Sequence, residues 1–274
     1  MIVVDRAFTE RVVKKRPIAS YKGKMGRVVI VAGNDRFGGA AIMSATAAVY
    51  AGAGLTTVAT NPDNWTALHA RLPEAMVTDL QAETLTPLLT NADVIVVGPG
   101  LGEDAAAKSV LNLVLKTASK DQALIIDGSA ITLCSQDRPQ MPNAKIIWTP
   151  HAVEWQRMSG LTPSQQDDKE NQKAFAKMAG TLVLKGSPTR TYNGKDVFLN
   201  TSGSPAMATG GSGDTLTGVI AAFCAQFGTN AQTIAAAVWT HSAAADNLHE
   251  YVALPTRVAA SLPAFMAELA ATQS

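Results

Sequence analysis

An α/β fold, with a doubly wound, mostly parallel sheet and helices on both faces, follows from three observations. Short apolar runs rich in β-branched residues alternate with longer runs of helical periodicity. Glycine-rich loops stand where the apolar runs end. One Asn-Gly pair, Asn193-Gly194, separates two short strand-like runs, which predicts a hairpin and hence a small antiparallel edge.

The elements follow in order. Residues 1–24 read as a leader helix and loop, with Pro17 breaking the helix. Arg27 to Ala32 is a buried strand, followed by the loop Gly33 to Gly39. A small-residue helix runs from near Ala40 to Ala51, and Thr56 to Thr60 is the next strand, completing a βαβ unit. A helix is expected near Asn64 to Leu72, while Pro73 to Val77 is too short to assign. Asp93 to Val97 is a strand running into Gly98-Pro99-Gly100-Leu101-Gly102, and Ala105 to Thr117 is helical. Further strands are Ala123 to Ile126, ending on Asp127, Lys145 to Trp148, ending at Thr149-Pro150-His151, and Thr181 to Leu184, ending at Lys185. Helices lie between them near His151 to Ser159 and Asp168 to Ala179. After the hairpin come a glycine loop, a long amphipathic helix, and two helices near Ala231 to Glu250 and Thr256 to Ala270. No linker or repeat divides the chain, so residues 1–274 are expected to form one domain.

Composition excludes several classes. Charged residues make up 16% against roughly 25% in typical domains, which implies extensive burial, subunit interfaces included. The net charge is +1 and the only basic cluster is Lys14-Lys15-Arg16, so no nucleic-acid partner is indicated. No apolar run of about 20 residues suggests a membrane span, and no signal peptide is read at the N-terminus. Two distant cysteines, Cys134 and Cys224, give neither a disulfide framework nor a zinc pattern, and a cytoplasmic location is expected.

The chemistry centres on Met207-Ala208-Thr209-Gly210-Gly211-Ser212-Gly213-Asp214. This loop feeds a helix on which Leu216, Val219, Ile220, Phe223 and Phe227 share one face. A helix N-terminus offers unpaired N–H groups and a positive dipole end, and glycine lets an anion approach the backbone. Gly211, Ser212 and Gly213 therefore read as an anion hole, with Asp214 beside it as a general base. The plainer reading is a turn followed by a carboxylate that complements the helix dipole.

The loops 33–39, 98–102, 149–154 and 185–189 all fall at carboxyl ends of strands, the edge where open α/β sheets bind ligands. Neither a dinucleotide Gly-x-Gly-x-x-Gly nor a P-loop spacing is present. His151 and Glu154 share a helical face near this edge. They are either a ligand-contacting His with a carboxylate that organises magnesium through water, or a terminal His with a dipole-complementing Glu. Lys185-Gly186-Ser187-Pro188-Thr189 either pairs a lysine and backbone amides with a nucleotide's phosphates or turns into the hairpin. Asp127 is either catalytic or a cap for the next helix. His69, His241 and His249, assigned to helices, read as surface or satisfied core residues.

Assembled, these segments resemble the ADP/ATP-dependent NAD(P)H-hydrate dehydratase family, of the stand-alone bacterial type, within the ribokinase-like superfamily. The likeness runs from about Gly23 to Leu269. Its most specific piece is Met207 to Gly218, supported by Gly39-Ala40, Arg71-x-Pro-Glu-x-Met, Gly98 to Gly102, Thr149-Pro-His-x-x-Glu154 and Lys185 to Thr189.

The resemblance implies dehydration of the S form of NADHX or NADPHX to NADH or NADPH. ADP is the phosphoryl donor, Mg2+ the cofactor, and AMP and phosphate the products. It places the hydrate on Ala40, Gly102, His151 and Asp214, and the nucleotide on Lys185, Gly186, Ser187, Pro188, Thr189 and Gly213. It also implies a homotetramer and a separate epimerase chain for the R form, since the stretch before the first glycine-loop strand is too short to hold one.

Two residues depart from the family pattern. Gly38 stands where relatives often have Pro, which suggests a more mobile loop. Ser129 stands where an Asp-Ala-Asp pattern would place a second acid. His151, by contrast, favours this family, since many vitamin kinases of the superfamily carry Asn there. The alternatives are an ATP-dependent kinase of a vitamin-precursor alcohol, such as a hydroxymethylpyrimidine or thiazole, and a non-catalytic nucleotide-binding protein.

Overall fold

The computed structural model describes residues 1–271; the last three residues of the expected domain lie outside the described residues. Among the described residues ten strands form one sheet, in the order β1-β10-β9-β8-β7-β6-β5-β2-β3-β4. They are β1 (Ile2–Val4), β2 (Arg27–Val31), β3 (Leu55–Ala59), β4 (Met76–Thr78), β5 (Val94–Val97), β6 (Ala123–Ile126), β7 (Lys145–Trp148), β8 (Thr181–Leu184), β9 (Arg190–Asn193) and β10 (Asp196–Asn200). From β8 to β4 every neighbouring pair is parallel; β9 runs antiparallel to β8 and β10, as the Asn-Gly turn requires.

Alternation along the strands divides the apolar side chains between two cores. Val28 and Ile30, Val94 and Val96, and Ala123 and Ile125 face one layer; Val29 and Val31, Ile95 and Val97, and Leu124 and Ile126 face the other. The first layer is covered by α1 (Arg6–Glu10), α2 (Gly38–Tyr50), α3 (Trp65–Arg71), α9 (Ser212–Phe227), α10 (Ala231–Asp246) and α11 (Pro255–Ala271). The second is covered by α4 (Ala82–Thr90), α5 (Ala105–Thr117), α6 (Gly128–Asp137), α7 (Ala152–Ser159) and α8 (Asp168–Phe175). Two such cores are what a doubly wound sheet buries.

Two features position the functional edge. Strand β2 has β3 on one side and β5 on the other, so the loops after β2 and β5 diverge at a topological switch point. They are nonetheless stitched together: the Gly33 amide donates to Pro99 O at 2.8 Å and the Asn34 amide to Gly100 O at 2.8 Å. Secondly, α2 and α9 pack at backbone distance. A Cβ on Gly218 would lie 2.1 Å from Ser44 O, and the Ser44 and Thr217 hydroxyls bond at 3.1 Å. This contact holds the N-terminus of α9 beside that of α2.

Several assignments need correction. Residues 1–24 contain β1 as well as a helix; three residues carry too little pattern to show as a strand, yet Ile2, Val3 and Val4 pair in parallel with Phe198, Leu199 and Asn200. The unassigned 73–77 stretch leads into β4. Helix α4 was not read at all, although Leu85 and Leu89 are buried; Pro87 inside it masks the periodicity. Helix α10 ends at Asp246, and His249 lies beyond it with φ 52°, not in a helix. Helix α8 stops at Phe175, four residues short of Ala179. Gly38 opens α2 and packs so closely on Asn64 that a Cβ would lie 2.0 Å from its Oδ1.

Candidate active site

The carboxyl edge gathers an acidic cluster around one lysine. Lys185, just past β8, forms an isolated parallel bridge with His151, and its amide donates to Pro150 O at 2.9 Å. Its ammonium lies 2.7 Å from Asp127 Oδ1 and 3.9 Å from Glu154 Oε2. Asp127 is 3% exposed and also accepts the Thr149 hydroxyl at 2.8 Å. It occupies the N-cap position of α6 but makes no side-chain cap bond, so its carboxylate is committed to lysine and threonine rather than to the helix. Burial pulls the Lys185 ammonium down, but Asp127 and Glu154 outweigh it and leave its pKa above the ordinary value.

Helix α9 brings the glycine loop over this cluster. Gly211 is its N-cap with φ 94°, a conformation that favours glycine; a Cβ there would also meet the Met43 sulfur at 2.3 Å. The Ser212 amide makes a long bond of 3.4 Å to Thr209 O. The Gly213 and Asp214 amides are first-turn donors with no intrahelical acceptor. A Cβ on Gly213 would lie 3.3 Å from Lys185 Nζ, so the ammonium sits against this turn. Asp214 follows in the same turn. Burial, with the Asp127 charge adding and Lys185 opposing, pushes its pKa up to about 6. That brings a carboxylate close to the working range of a general base at neutral pH.

His151 and Glu154 form a reciprocal capping box. His151 Nδ1 accepts from the Val153 and Glu154 amides at 3.1 and 3.3 Å, while Glu154 Oε2 accepts from the His151 amide at 2.8 Å. With Nδ1 accepting, the neutral ring carries its proton on Nε2, which lies 3.6 Å from Glu154 Oε2 on a half-exposed side chain. Burial first, then the Asp127 charge, raises the Glu154 pKa against the pull of Lys185 and His151.

The two remaining glycine loops lie at the switch point. A Cβ on Gly100 would meet Ala40 Cβ at 2.9 Å, so this loop lies against the start of α2. Gly102 has φ 94°, and its amide donates to Ser129 Oγ at 3.1 Å. Ser129, where relatives often carry an acid, thus anchors the Gly98–Gly102 loop. On the other side of Lys185, a cavity of about 480 Å³ is lined by Lys185 to Thr189, the 199–204 turn, Ser212, Gly213 and His241. The structure therefore joins Asp127, Lys185, Glu154, Gly213 and Asp214 in one cluster, with the 185–189 loop on the cavity wall. Asp127 and Thr149 are the parts that sequence reasoning left open or passed over; both stand directly after a strand, and that was their signal.

A mostly parallel sheet flanked by helices on both faces, with a polar switch-point edge beneath a glycine-capped helix, is the arrangement of the ribokinase-like fold. The family model described as NAD(P)H-hydrate dehydratase matches residues 28–264. A relative from Lactiplantibacillus plantarum, named ADP-dependent (S)-NAD(P)H-hydrate dehydratase, is 48% identical over 266 residues, covering 96% of each chain. The crystal structure of a ribokinase-like superfamily protein from Enterococcus faecalis superposes with a TM-score of 0.96 at 47% identity, covering 98% of this chain and 96% of that one. An ADP/ATP-dependent NAD(P)H-hydrate dehydratase from Bacillus subtilis, co-crystallised with ATP and Mg2+, gives 0.86 at 25% identity over 98% of each chain. The chain belongs to the NAD(P)H-hydrate dehydratase family.

Proposed function

We propose that this chain repairs hydrated nicotinamide cofactors, converting the S form of NADHX or NADPHX to NADH or NADPH while ADP is cleaved to AMP and phosphate. The observation that carries the reading is Asp214. It is a carboxylate raised to about 6, beside first-turn amides and against a buried lysine.

In this reading Asp214 takes the proton of the C6 hydroxyl. The oxygen attacks the terminal phosphorus of ADP, and AMP leaves. The Gly211–Gly213 turn holds the developing negative charge, and Lys185 pairs with the transferring phosphoryl group. Hydroxide, a poor leaving group, has become phosphate. The ring-nitrogen lone pair then expels it, and loss of a C5 proton restores the double bond. Ala40, Gly102 and the His151 Nε2 donor seat the hydrate, and Gly186, Ser187, Pro188 and Thr189 seat the nucleotide. Only one C6 epimer turns its hydroxyl toward Asp214, so the R form is left to a separate epimerase chain.

The site suits magnesium in one manner. Asp127, Glu154 and Asp214 share a single ammonium, a charge excess that a divalent cation would offset. Among the described residues no group of three or more His, Cys, Asp or Glu can hold a metal directly. Magnesium would enter with the nucleotide, Glu154 would be the residue that holds it through water, and the ion would supply charge neutralisation. The resemblance adds a homotetramer to this reading. Two buried free thiols support a cytoplasmic location, and one sheet shared by both cores supports a single domain; among the described residues no helix is long and apolar enough to cross a membrane.

The test mixes the chain with hydrated NADH, magnesium and either ADP or ATP, and follows absorbance in the NADH band. Recovery with ADP, and none without nucleotide, is expected. No recovery with either nucleotide, together with ATP turnover on a vitamin-precursor alcohol, would replace this reading by the kinase one.

A further inference from the structure

His241 has no part in the reaction as derived, yet it is 3% exposed and lines the same cavity as Lys185, Ser212 and Gly213. We propose that His241, resting on the dehydratase reading above, is a positioning residue: through the Thr215 hydroxyl it fixes the peptide plane that aims the Gly213 amide at the phosphoryl group.

The argument is a count of protons. Thr215 Oγ1 lies 2.9 Å from Ser212 O, 3.3 Å from Gly211 O and 2.9 Å from His241 Nε2. Carbonyl oxygens only accept, and the hydroxyl has one proton. That proton goes to the nearer carbonyl, Ser212 O, so His241 must donate from Nε2. The opposite assignment would leave two oxygens 2.9 Å apart with no proton between them. Burial supports the neutral donor, pushing the His241 pKa down to about 4.

The consequence lies in the peptide geometry. Ser212 O and the Gly213 N–H belong to one planar trans peptide and point in opposite directions. Holding the carbonyl toward Thr215 turns the Gly213 amide outward. A helical threonine has two accessible χ1 rotamers, and only one of them makes this bond. His241, reaching in from α10, selects that one. The glycine at 213 supplies access; without the clamp it also supplies freedom to swing.

The test compares His241→Leu, His241→Gln, Thr215→Val and the double variant His241→Leu/Thr215→Val, all assayed well below their measured Tm. Removing an oxyanion-hole donor outright costs about 10²–10³ in kcat, so loosening one should cost about tenfold, with a smaller rise in KM for ADP. Gln keeps a donor at the Nε2 position and should restore kcat to within about threefold. The double variant should be no slower than the slower single one, because both act on one bond chain. The Gly213 amide resonance of labelled protein should shift on adding ADP in wild type and His241→Gln, and much less in His241→Leu. Wild-type kcat in folded His241→Leu, multiplying losses in the double variant, or an unchanged Gly213 shift in His241→Leu would each overturn the inference. Because the resonance responds to ADP alone, it decides the matter even if wild type fails on the hydrate, a failure that would overturn the proposed reaction instead.

Discussion

Two polar clusters lie beneath the surface of this molecule, and they differ in what they leave unspent. In one, Trp155 Nε1 donates to Asn171 Oδ1 at 2.7 Å and Asn171 Nδ2 to the Tyr192 hydroxyl at 3.2 Å. That hydroxyl donates to Asp168 Oδ1 at 2.7 Å, where Arg190 Nε lies 2.9 Å away. The indole, amide and hydroxyl donors each meet an acceptor, the one carboxylate has its one cation at ion-pair distance although Arg190 Nε makes no hydrogen bond, and none of these residues lines the 480 Å³ cavity. In the other, three carboxylates share Lys185, first-turn amides stand open, and the cavity begins at the lysine. Burial of polar groups therefore does not mark function by itself. Surplus charge and unspent donors at a cavity wall do, because a ligand can then satisfy what the protein leaves open.

The sharpest way to test this contrast is Asp214→Asn. The amides and lysine remain, so ADP should still bind, while kcat should fall by about 10³ or more, as for a unit-acting base. Steady-state kinetics beside calorimetric ADP titration would show this; retained turnover would remove Asp214 from the mechanism. The wild-type pH profile belongs with it. With the ionised form of Asp214 as the proposed base, kcat/KM should fall as pH drops through about 6.

Next in size, Lys185→Met should lower kcat about 100-fold and move that acid limb upward, since Lys185 is the group that lowers the Asp214 pKa. A limb that stays in place would show that the two groups do not interact. In the closed cluster the expectation reverses. Asn171→Ala leaves the Trp155 indole N–H without its acceptor and Gln166 O without the Asn171 donor, and should cost about 1–3 kcal/mol in urea unfolding with kcat unchanged. A loss of kcat without loss of stability would erase the contrast.

The smallest effect concerns stability at the active cluster. The folded pKa of Asp214 lies above its ordinary carboxylate value, so its ionised form opposes folding at neutral pH. Asp214→Asn should therefore raise Tm by a few degrees at pH 7, and the gain should vanish toward pH 4, where the native carboxyl is protonated. A lower Tm at pH 7 would contradict the burial argument.

The two clusters were unequally legible. Asp214, Lys185 and His151 follow strand ends or a glycine loop, and local sequence shows that directly. The layered α/β order was legible for the same reason, since β2, β5, β6, β7 and β8 are runs of apolar residues closed by turn chemistry. What stayed hidden depends on partners distant in sequence. The Lys185–Asp127 pair joins residues 58 positions apart, and the His241–Thr215 bond spans two helices. The Tyr192–Asn171–Trp155 chain likewise has no periodic signature. Strand β1 is a strand only because β10 offers an edge, and no three-residue window encodes that.

One measurement reaches the central claim, that phosphate is transferred to the C6 oxygen before the ring double bond returns. NADH hydrated in ¹⁸O water carries the label on its C6 hydroxyl. Turned over with ADP in unlabelled water and read by mass spectrometry, it should deliver the ¹⁸O into inorganic phosphate. Label released as water, with unlabelled phosphate, would contradict direct phosphorylation of the hydroxyl and with it the role given to Asp214 and the glycine turn.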